Sequence, residues 1–98
     1  MTTQDPAALT HADLAAAPAS ARVRLVEAFL LASIKALQPE AGVDAERHLA
    51  DLGIDSLQVV ELKFGLDQVL GQEIDVELII SNPTIGELAA NSVKAAGL

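Results

Sequence analysis

The sequence predicts an all-α fold: a small four-helix bundle of three main helices and one short helix, with a long loop between the first and second helices. Three observations support this class. Apolar residues recur at helical spacing in three segments, residues that start or stop helices bound these segments, and no two segments alternate as paired strands would. The 98 residues suffice for one such domain and leave too little chain for a second core.

Residues 1–19 are predicted to form a flexible leader or linker. They are rich in Ala and Thr, include two prolines, and have too few large apolar side chains to hold a fixed structure. Leu9 and Leu14 are expected at most to dock weakly. We therefore place the folded domain at residues 20–96.

The first helix is predicted over residues 20–37. Its apolar residues recur along one face, at Val23, Val26, Leu30 and Leu37. Pro39 ends the pattern, because proline cannot continue a helix and disfavours the helical conformation in the residue before it. Residues 38–55 then form a long loop that apolar side chains anchor to the core. These anchors are Leu49, Leu52 and Ile54.

The second helix is predicted to begin at Asp55-Ser56 and to end at Leu70. Asp55 is a favourable N-cap, and Gly71 is a typical C-terminal stop. Gly53, two residues before the cap, is expected to allow a close approach of the preceding loop.

The last third of the chain is predicted to contain a short helix and a longer one. Residues 73–80 alternate like a strand, but a lone strand has no partner, so a short helical turn is the better prediction. Thr84 and Glu87, three residues apart, form a capping box that starts the last helix, which continues until Gly97.

The second helix has two apolar faces when its residues are placed about 100° apart. The core face carries Val59, Leu62, Leu66, Val69 and Leu70. A second set lies on the same side as Ser56: Leu57, Val60 and Phe64, with Asp67 beside them. Because a helix of a small bundle buries only one stripe, we interpret the second set as an exposed recognition surface, with additional core as the alternative.

The charge of the chain is negative and concentrated. Nine acidic and two basic residues lie between Asp44 and Glu77, a net charge of −7 out of a total of −8. This balance argues against nucleic acid as a partner and favours basic protein partners.

Several site classes are excluded by composition. The chain has no Cys, so it has no disulfide, no thiolate zinc site and no cysteine nucleophile. Its two histidines are far apart and lack ligand spacing, so we predict no metal site. No segment resembles a signal peptide or a membrane span, which predicts a cytoplasmic chain with no membrane partner.

The segment around Ser56 is the most specific feature. As the first residue of a helix, Ser56 presents a hydroxyl where unpaired backbone N–H groups and the helix dipole favour an anion such as phosphate. The alternative is that Ser56 merely helps to start the helix.

Three motifs carry a resemblance to a known family. The string Gly53-Ile54-Asp55-Ser56-Leu57, followed by Val60-Glu61-Leu62, resembles the G-x-D-S-L…E-L signature of acyl carrier proteins. Residues 43–52 resemble the family's loop into its modification site. Residues 82–89 are similar to the start of the last helix in carrier domains of modular polyketide synthases. The resemblance covers about residues 20–96.

The resemblance implies a carrier rather than an enzyme. A phosphopantetheinyl transferase would attach 4′-phosphopantetheine from coenzyme A to Ser56, and the thiol of that arm would hold polyketide or fatty-acyl intermediates as thioesters. The implied partners are this transferase and the ketosynthase, acyltransferase and other domains of a synthase, and the carrier itself is expected to be a monomer.

The resemblance also assigns roles to neighbouring residues. It implies that Asp55 caps the helix and is recognised by the transferase. It places partner-binding residues at Leu57, Val60, Glu61 and Phe64, and the helical angle adds Asp67, on the same side, to this set. Lys63 departs from the uniformly acidic helix of fatty-acid carriers, which favours polyketide synthesis.

Alternative functions differ in specific features. A peptidyl carrier of a nonribosomal peptide synthetase typically has Gly-Gly-x-Ser before the helix, where this chain has Gly53-Ile54-Asp55-Ser56. An unmodified helical adaptor would share every bulk feature and differ only at Ser56. A serine hydrolase would require Gly-x-Ser-x-Gly, which is absent around Ser56.

Residues 8–22 look like the linker before carrier domains in modular synthases, although the Met-Thr-Thr start also suits a free-standing carrier.

Overall fold

The computed structural model describes residues 5–98, and this part of the chain is an all-α bundle without β-strands, as predicted. The helices are α1 (His11–Ala16), α2 (Ala19–Leu37), α3 (Ser56–Leu70), α4 (Glu77–Ile80) and α5 (Ile85–Ala95). Short 3₁₀ helices lie at Pro6–Ala8 and Leu49–Leu52. Helices α2 to α5 correspond to the four predicted helices, and α1 is an addition.

Helix α1 lies within the predicted flexible leader, residues 1–19, of which residues 1–4 are outside the described part. The structure differs from that prediction, because Thr10 Oγ1 accepts the N–H of Asp13 at 3.1 Å and Asp13 accepts the Thr10 N–H at 3.2 Å. Leu14 is completely buried in the core. A reciprocal cap and one deeply buried leucine therefore order a segment that has few large apolar side chains.

The core lies between α2, α3 and α5. It is formed by side chains that include Val26, Leu30 and Ile34 of α2, Leu62, Leu66 and Val69 of α3, and Ile85, Leu88 and Val93 of α5. A Cβ atom at Gly65 in α3 would lie 3.3 Å from Cζ of Phe29, so this glycine lets α2 and α3 approach closely. Phe29 is accordingly buried, with 6% of its surface exposed.

The long loop between α2 and α3 is tied to the start of α5. The N–H groups of Ile85 and Gly86 donate to the carbonyls of Arg47 and Ala45 at 3.1 and 2.9 Å. Of the predicted apolar anchors of the loop, Leu49 and Leu52 are buried and Ile54 is partly buried. The loop thus satisfies helix-end N–H groups that would otherwise lack partners.

The capping box predicted for the last helix is present. Thr84 Oγ1 accepts the N–H of Glu87 at 3.1 Å, and Glu87 Oε1 accepts the N–H of Thr84 at 2.9 Å. The hydrogen bond from the Thr84 backbone lowers the pKa of the Glu87 carboxyl below its usual value.

Candidate functional site

Ser56 is the first residue of α3, and its side chain is exposed. The preceding residue, Asp55, is the N-cap predicted from the sequence: its Oδ1 accepts the N–H of Gln58 at 2.8 Å. In return, Gln58 Oε1 accepts the N–H of Asp55 at 3.2 Å. This reciprocal pair fixes the first turn of the helix on which the serine hydroxyl stands.

Gly53 directs the chain into this turn, although not for the reason expected from the sequence. A Cβ atom at Gly53 would have no neighbour within 4 Å, so no close approach requires the glycine. Its φ of +73° does require it, because side chains strongly disfavour this left-handed conformation. Gly53 therefore ends the Leu49–Leu52 turn in a left-handed conformation, two residues before the cap at Asp55.

A mainly apolar surface groove of about 400 Å³ opens beside Ser56. It is lined by Leu49, Ala50, Ile54, Asp55, Ser56, Val59, Ile79, Ile80 and Asn82. The lining comes from the loop, the first turn of α3 and the end of α4, which are distant in sequence. Sequence reasoning therefore missed the groove, and no local pattern marks Ile79, Ile80 or Asn82 as its neighbours.

The second apolar face of α3 is exposed rather than part of the core, as interpreted from the sequence. Leu57, Val60 and Phe64 expose 67%, 61% and 67% of their surfaces. Glu61 is also exposed and borders these three residues on the surface of the helix. We call these four residues the α3 ridge. The ridge begins next to Ser56, so a partner that covers it would also approach the serine hydroxyl.

Asp67 was predicted to join this surface, and the structure shows that its carboxylate makes two contacts within the chain. Oδ2 pairs with Lys63 Nζ at 2.6 Å, and Oδ1 accepts the N–H of Ile74 at 3.0 Å. Glu73 lies 3.5 Å from the same Lys63 Nζ. The hydrogen bond to Asp67 raises the pKa of Lys63 above its usual value. Asp67 therefore holds the turn after α3, and the exposed acid of the ridge is Glu61.

The geometry does not assemble a hydrolase around Ser56. His48 Nδ1 donates to the backbone carbonyl of Asn82 at 2.9 Å, and no hydrogen bond among residues 5–98 joins His48 to Ser56. The same residues contain no group of three or more side chains that could hold a metal ion. No helix among them is both long and apolar enough to cross a bilayer.

The structure is thus a small all-α bundle that presents an exposed serine at a capped helix start, beside an exposed apolar ridge. The chain belongs to the family described as phosphopantetheine attachment site, whose sequence model matches residues 30–91, more than half of the chain. The resemblance to acyl carrier domains is thereby confirmed, and 4′-phosphopantetheine is the cofactor of this family.

Two curated relatives are polyketide synthases. The chain is 43% identical over 49 residues to pikromycin polyketide synthase component PikAII of Streptomyces venezuelae, a match that covers 50% of the chain and 1% of that protein. It is 30% identical over 61 residues to highly reducing polyketide synthase VdtX of Byssochlamys spectabilis, covering 62% of the chain and 3% of that protein. The chain thus corresponds to a small segment of each relative. No solved structure matches it.

The residues at the start of α3 fit this cofactor. The exposed hydroxyl of Ser56 is not hydrogen-bonded to any described residue. The mainly apolar groove lies on one side of Ser56, and the α3 ridge lies on the other side. A phosphate ester on a hydroxyl at a helix N-terminus also receives favourable electrostatics from the backbone N–H groups.

Proposed function

We propose that this chain is an acyl carrier whose 4′-phosphopantetheine is attached to Ser56, and that it carries polyketide or fatty-acyl intermediates. The observation that carries the proposal is the exposed, unengaged hydroxyl of Ser56 at the capped start of α3, inside the motif of the family. When bound, the group supplies a thiol that holds acyl chains as thioesters. The chain itself has no Cys and so has no thiol of its own.

The attachment needs a phosphopantetheinyl transferase and coenzyme A. Ser56 Oγ loses its proton and forms the new bond to phosphorus, and the pyrophosphate bond of coenzyme A breaks to release adenosine 3′,5′-bisphosphate. The contribution of this chain is to hold Ser56 on a rigid first turn, through the reciprocal hydrogen bonds between Asp55 and Gln58. This makes the chain a carrier and substrate of enzymes, not a catalyst.

Presentation of the cargo is proposed to occur through the α3 ridge. An exposed apolar strip with an acid at its edge, on a chain of net charge −8, suits partner surfaces that combine apolar side chains with Lys or Arg. We assign this surface to the transferase and to ketosynthase, acyltransferase and other synthase domains. We further propose that the carrier acts as a monomer in the cytoplasm, so that each partner meets the same free ridge.

Polyketide intermediates are the preferred cargo. Both curated relatives are polyketide synthases, and the matched segments include half or more of this chain. The sequence before the helix, Gly53-Ile54-Asp55-Ser56, also lacks the Gly-Gly-x-Ser pattern of peptidyl carriers. A single attached arm would raise the local concentration of its acyl group at each successive active site.

Intact-mass measurement tests the attachment directly. After incubation with coenzyme A and a broad-specificity phosphopantetheinyl transferase, we expect a gain of one phosphopantetheine group, about 340 Da from its formula. Ser56→Ala should abolish the gain. Ser81→Ala is the matched control, because Ser81 is also exposed and lies between Ile80 and Asn82, which line the same groove. This variant should retain the gain in mass. An unchanged mass of the wild-type chain would refute the proposal and favour an unmodified adaptor.

A further inference from the structure

Two glutamine side chains join the end of α2 to the turn that precedes Ser56. Gln38 Nε2 donates to the carbonyl of Gly53 at 3.0 Å and to Gln58 Oε1 at 2.9 Å. Gln58 Oε1 also accepts the N–H of Asp55 at 3.2 Å, and Gln58 Nε2 donates to the carbonyl of Leu37 at 3.3 Å. Two side chains thus hold three backbone groups, which belong to the end of α2 and to the Gly53–Asp55 turn.

The polarity of this amide network is set by the backbone. The Asp55 N–H can only donate, so the group of Gln58 that faces it must be the oxygen. The Leu37 carbonyl can only accept, so the other end of the Gln58 amide must be the NH₂ group. Gln38 then meets two acceptors, the Gly53 carbonyl and Gln58 Oε1, with the two N–H bonds of its own NH₂. Only one orientation of the two side-chain amides pairs a donor with an acceptor at every contact.

The network spans the segment whose geometry determines where the serine stands. Its bonds to Gly53 and Asp55 lie three residues and one residue before Ser56, and Gln38 anchors both to the end of α2. The cap between Asp55 and Gln58 is local to α3 and would orient the helix start only relative to itself. The two bonds of Gln38 and the bond from Gln58 to the Leu37 carbonyl add the connection to the end of α2, because all three run between elements.

We propose that Gln38 and Gln58 are positioning residues for the modification of Ser56: they hold the Gly53–Asp55 turn so that the serine hydroxyl meets the transferase in a reactive arrangement. The inference rests on the proposed attachment at Ser56. Neither side chain belongs to the exposed ridge, since both are partly buried. Their loss should therefore reduce the turnover of the bound complex rather than its formation, because misplacement of a reacting atom affects the reactive step.

The test compares four variants as substrates of the transferase. Gln38→Met and Gln58→Met keep the length of the side chain and remove its hydrogen bonds. Gln58→Glu keeps an oxygen that accepts from Asp55 and Gln38, loses the bond to Leu37 and places a charged carboxylate oxygen against the Leu37 carbonyl. Gln72→Met is the matched control, since Gln72 donates a comparable bond to the Ala96 carbonyl, beyond the other end of α3.

Initial rates are measured by intact mass over a range of carrier concentrations, at a temperature where circular dichroism shows every variant folded. We expect kcat to fall about tenfold for Gln38→Met and Gln58→Met, with KM for the carrier unchanged, as misplaced reacting groups require. Gln58→Glu should recover most of the rate relative to Gln58→Met. Gln72→Met should match the wild type.

The outcomes separate this inference from the proposed function. A wild-type chain that accepts no phosphopantetheine refutes the attachment itself. If the wild type is modified on Ser56 and Gln38→Met has the same kcat, or loses rate only through KM, the positioning role is overturned and the attachment stands. Should Gln58→Met fail to fold, Gln38→Met and the control still decide the question.

Discussion

Ser92 is a buried polar residue in the described part of the chain. It lies on α5 with 0% of its surface exposed, and its Oγ has no hydrogen-bond partner among the described residues. A buried hydroxyl without a partner costs free energy, because it gives up its hydrogen bonds with water and gains none. Alanine fits the same space without that cost.

We therefore expect Ser92→Ala to raise the free energy of unfolding by about 1 kcal/mol. Urea unfolding monitored by circular dichroism would measure the change. Ser20→Ala, at an exposed position of α2, serves as control and should stay within about 0.5 kcal/mol of the wild type. A loss of stability in Ser92→Ala would show that the hydroxyl has a partner, such as a buried water molecule.

Residue roles could be predicted from the sequence where the partner is three residues away. Asp55 as a cap and the Thr84–Glu87 box follow from such local rules, and the structure contains both. The role of Gln38 could not be predicted, since its partners lie 15 and 20 residues along the chain. The bond from the Ile74 N–H to Asp67 could not be predicted for the same reason: helix geometry shows the side of α3 on which Asp67 lies but not the turn that folds back to it.

At the scale of elements, α3 separates recognition from stability on its two faces. Leu66 is completely buried, whereas Phe64 exposes 67% of its surface two residues earlier. Leu66→Ala should lower the free energy of unfolding by about 2–5 kcal/mol, as truncation of a buried leucine does. Phe64→Ala and Glu61→Lys should leave stability within about 0.5 kcal/mol. These two should instead raise KM for modification, because they alter the proposed docking surface.

Thermal unfolding and transferase kinetics on the same three variants provide the measurement. Similar losses of stability for Phe64→Ala and Leu66→Ala would mean that the ridge is core in solution. Unchanged kinetics in both ridge variants would contradict its role in docking. The periodicity of the sequence was sufficient to define both faces, because the helical angle depends only on residue spacing.

Helix α1 shows why local sequence patterns do not predict every helix. Six residues are too few for a helix that is stable by itself, and their composition resembles that of a linker. What orders α1 is distant: Leu14 enters the core, and His11 Nδ1 donates to the Val69 carbonyl at 3.1 Å, near the end of α3. A Cβ atom at Gly71 would lie 2.7 Å from the His11 ring, so this glycine also makes room for α1.

At the scale of the whole molecule, Arg22 links parts of the chain that are far apart in sequence. From α2 its guanidinium donates to the carbonyls of Leu14 and Ala15 in α1, at 3.2 and 3.1 Å, and to that of Leu98 at 3.2 Å. The carbonyls at a helix C-terminus lack partners within the helix and favour a positive charge. One side chain therefore holds α1 and Leu98, which lies three residues beyond the end of α5, against α2.

Arg22→Met keeps most of the apolar stem and removes these three bonds, so α1 should detach locally. We expect a loss of about 1–3 kcal/mol in the free energy of unfolding and faster hydrogen exchange at the Leu14 and Ala17 amides. Arg24→Met, at an exposed position of the same helix, is the control. Because α3 is about 20 Å long and α1 packs at its C-terminal end, the modification rate at Ser56 should not change. Unchanged protection of α1 would contradict the role of Arg22, and a slower modification would show that the two ends of α3 are coupled.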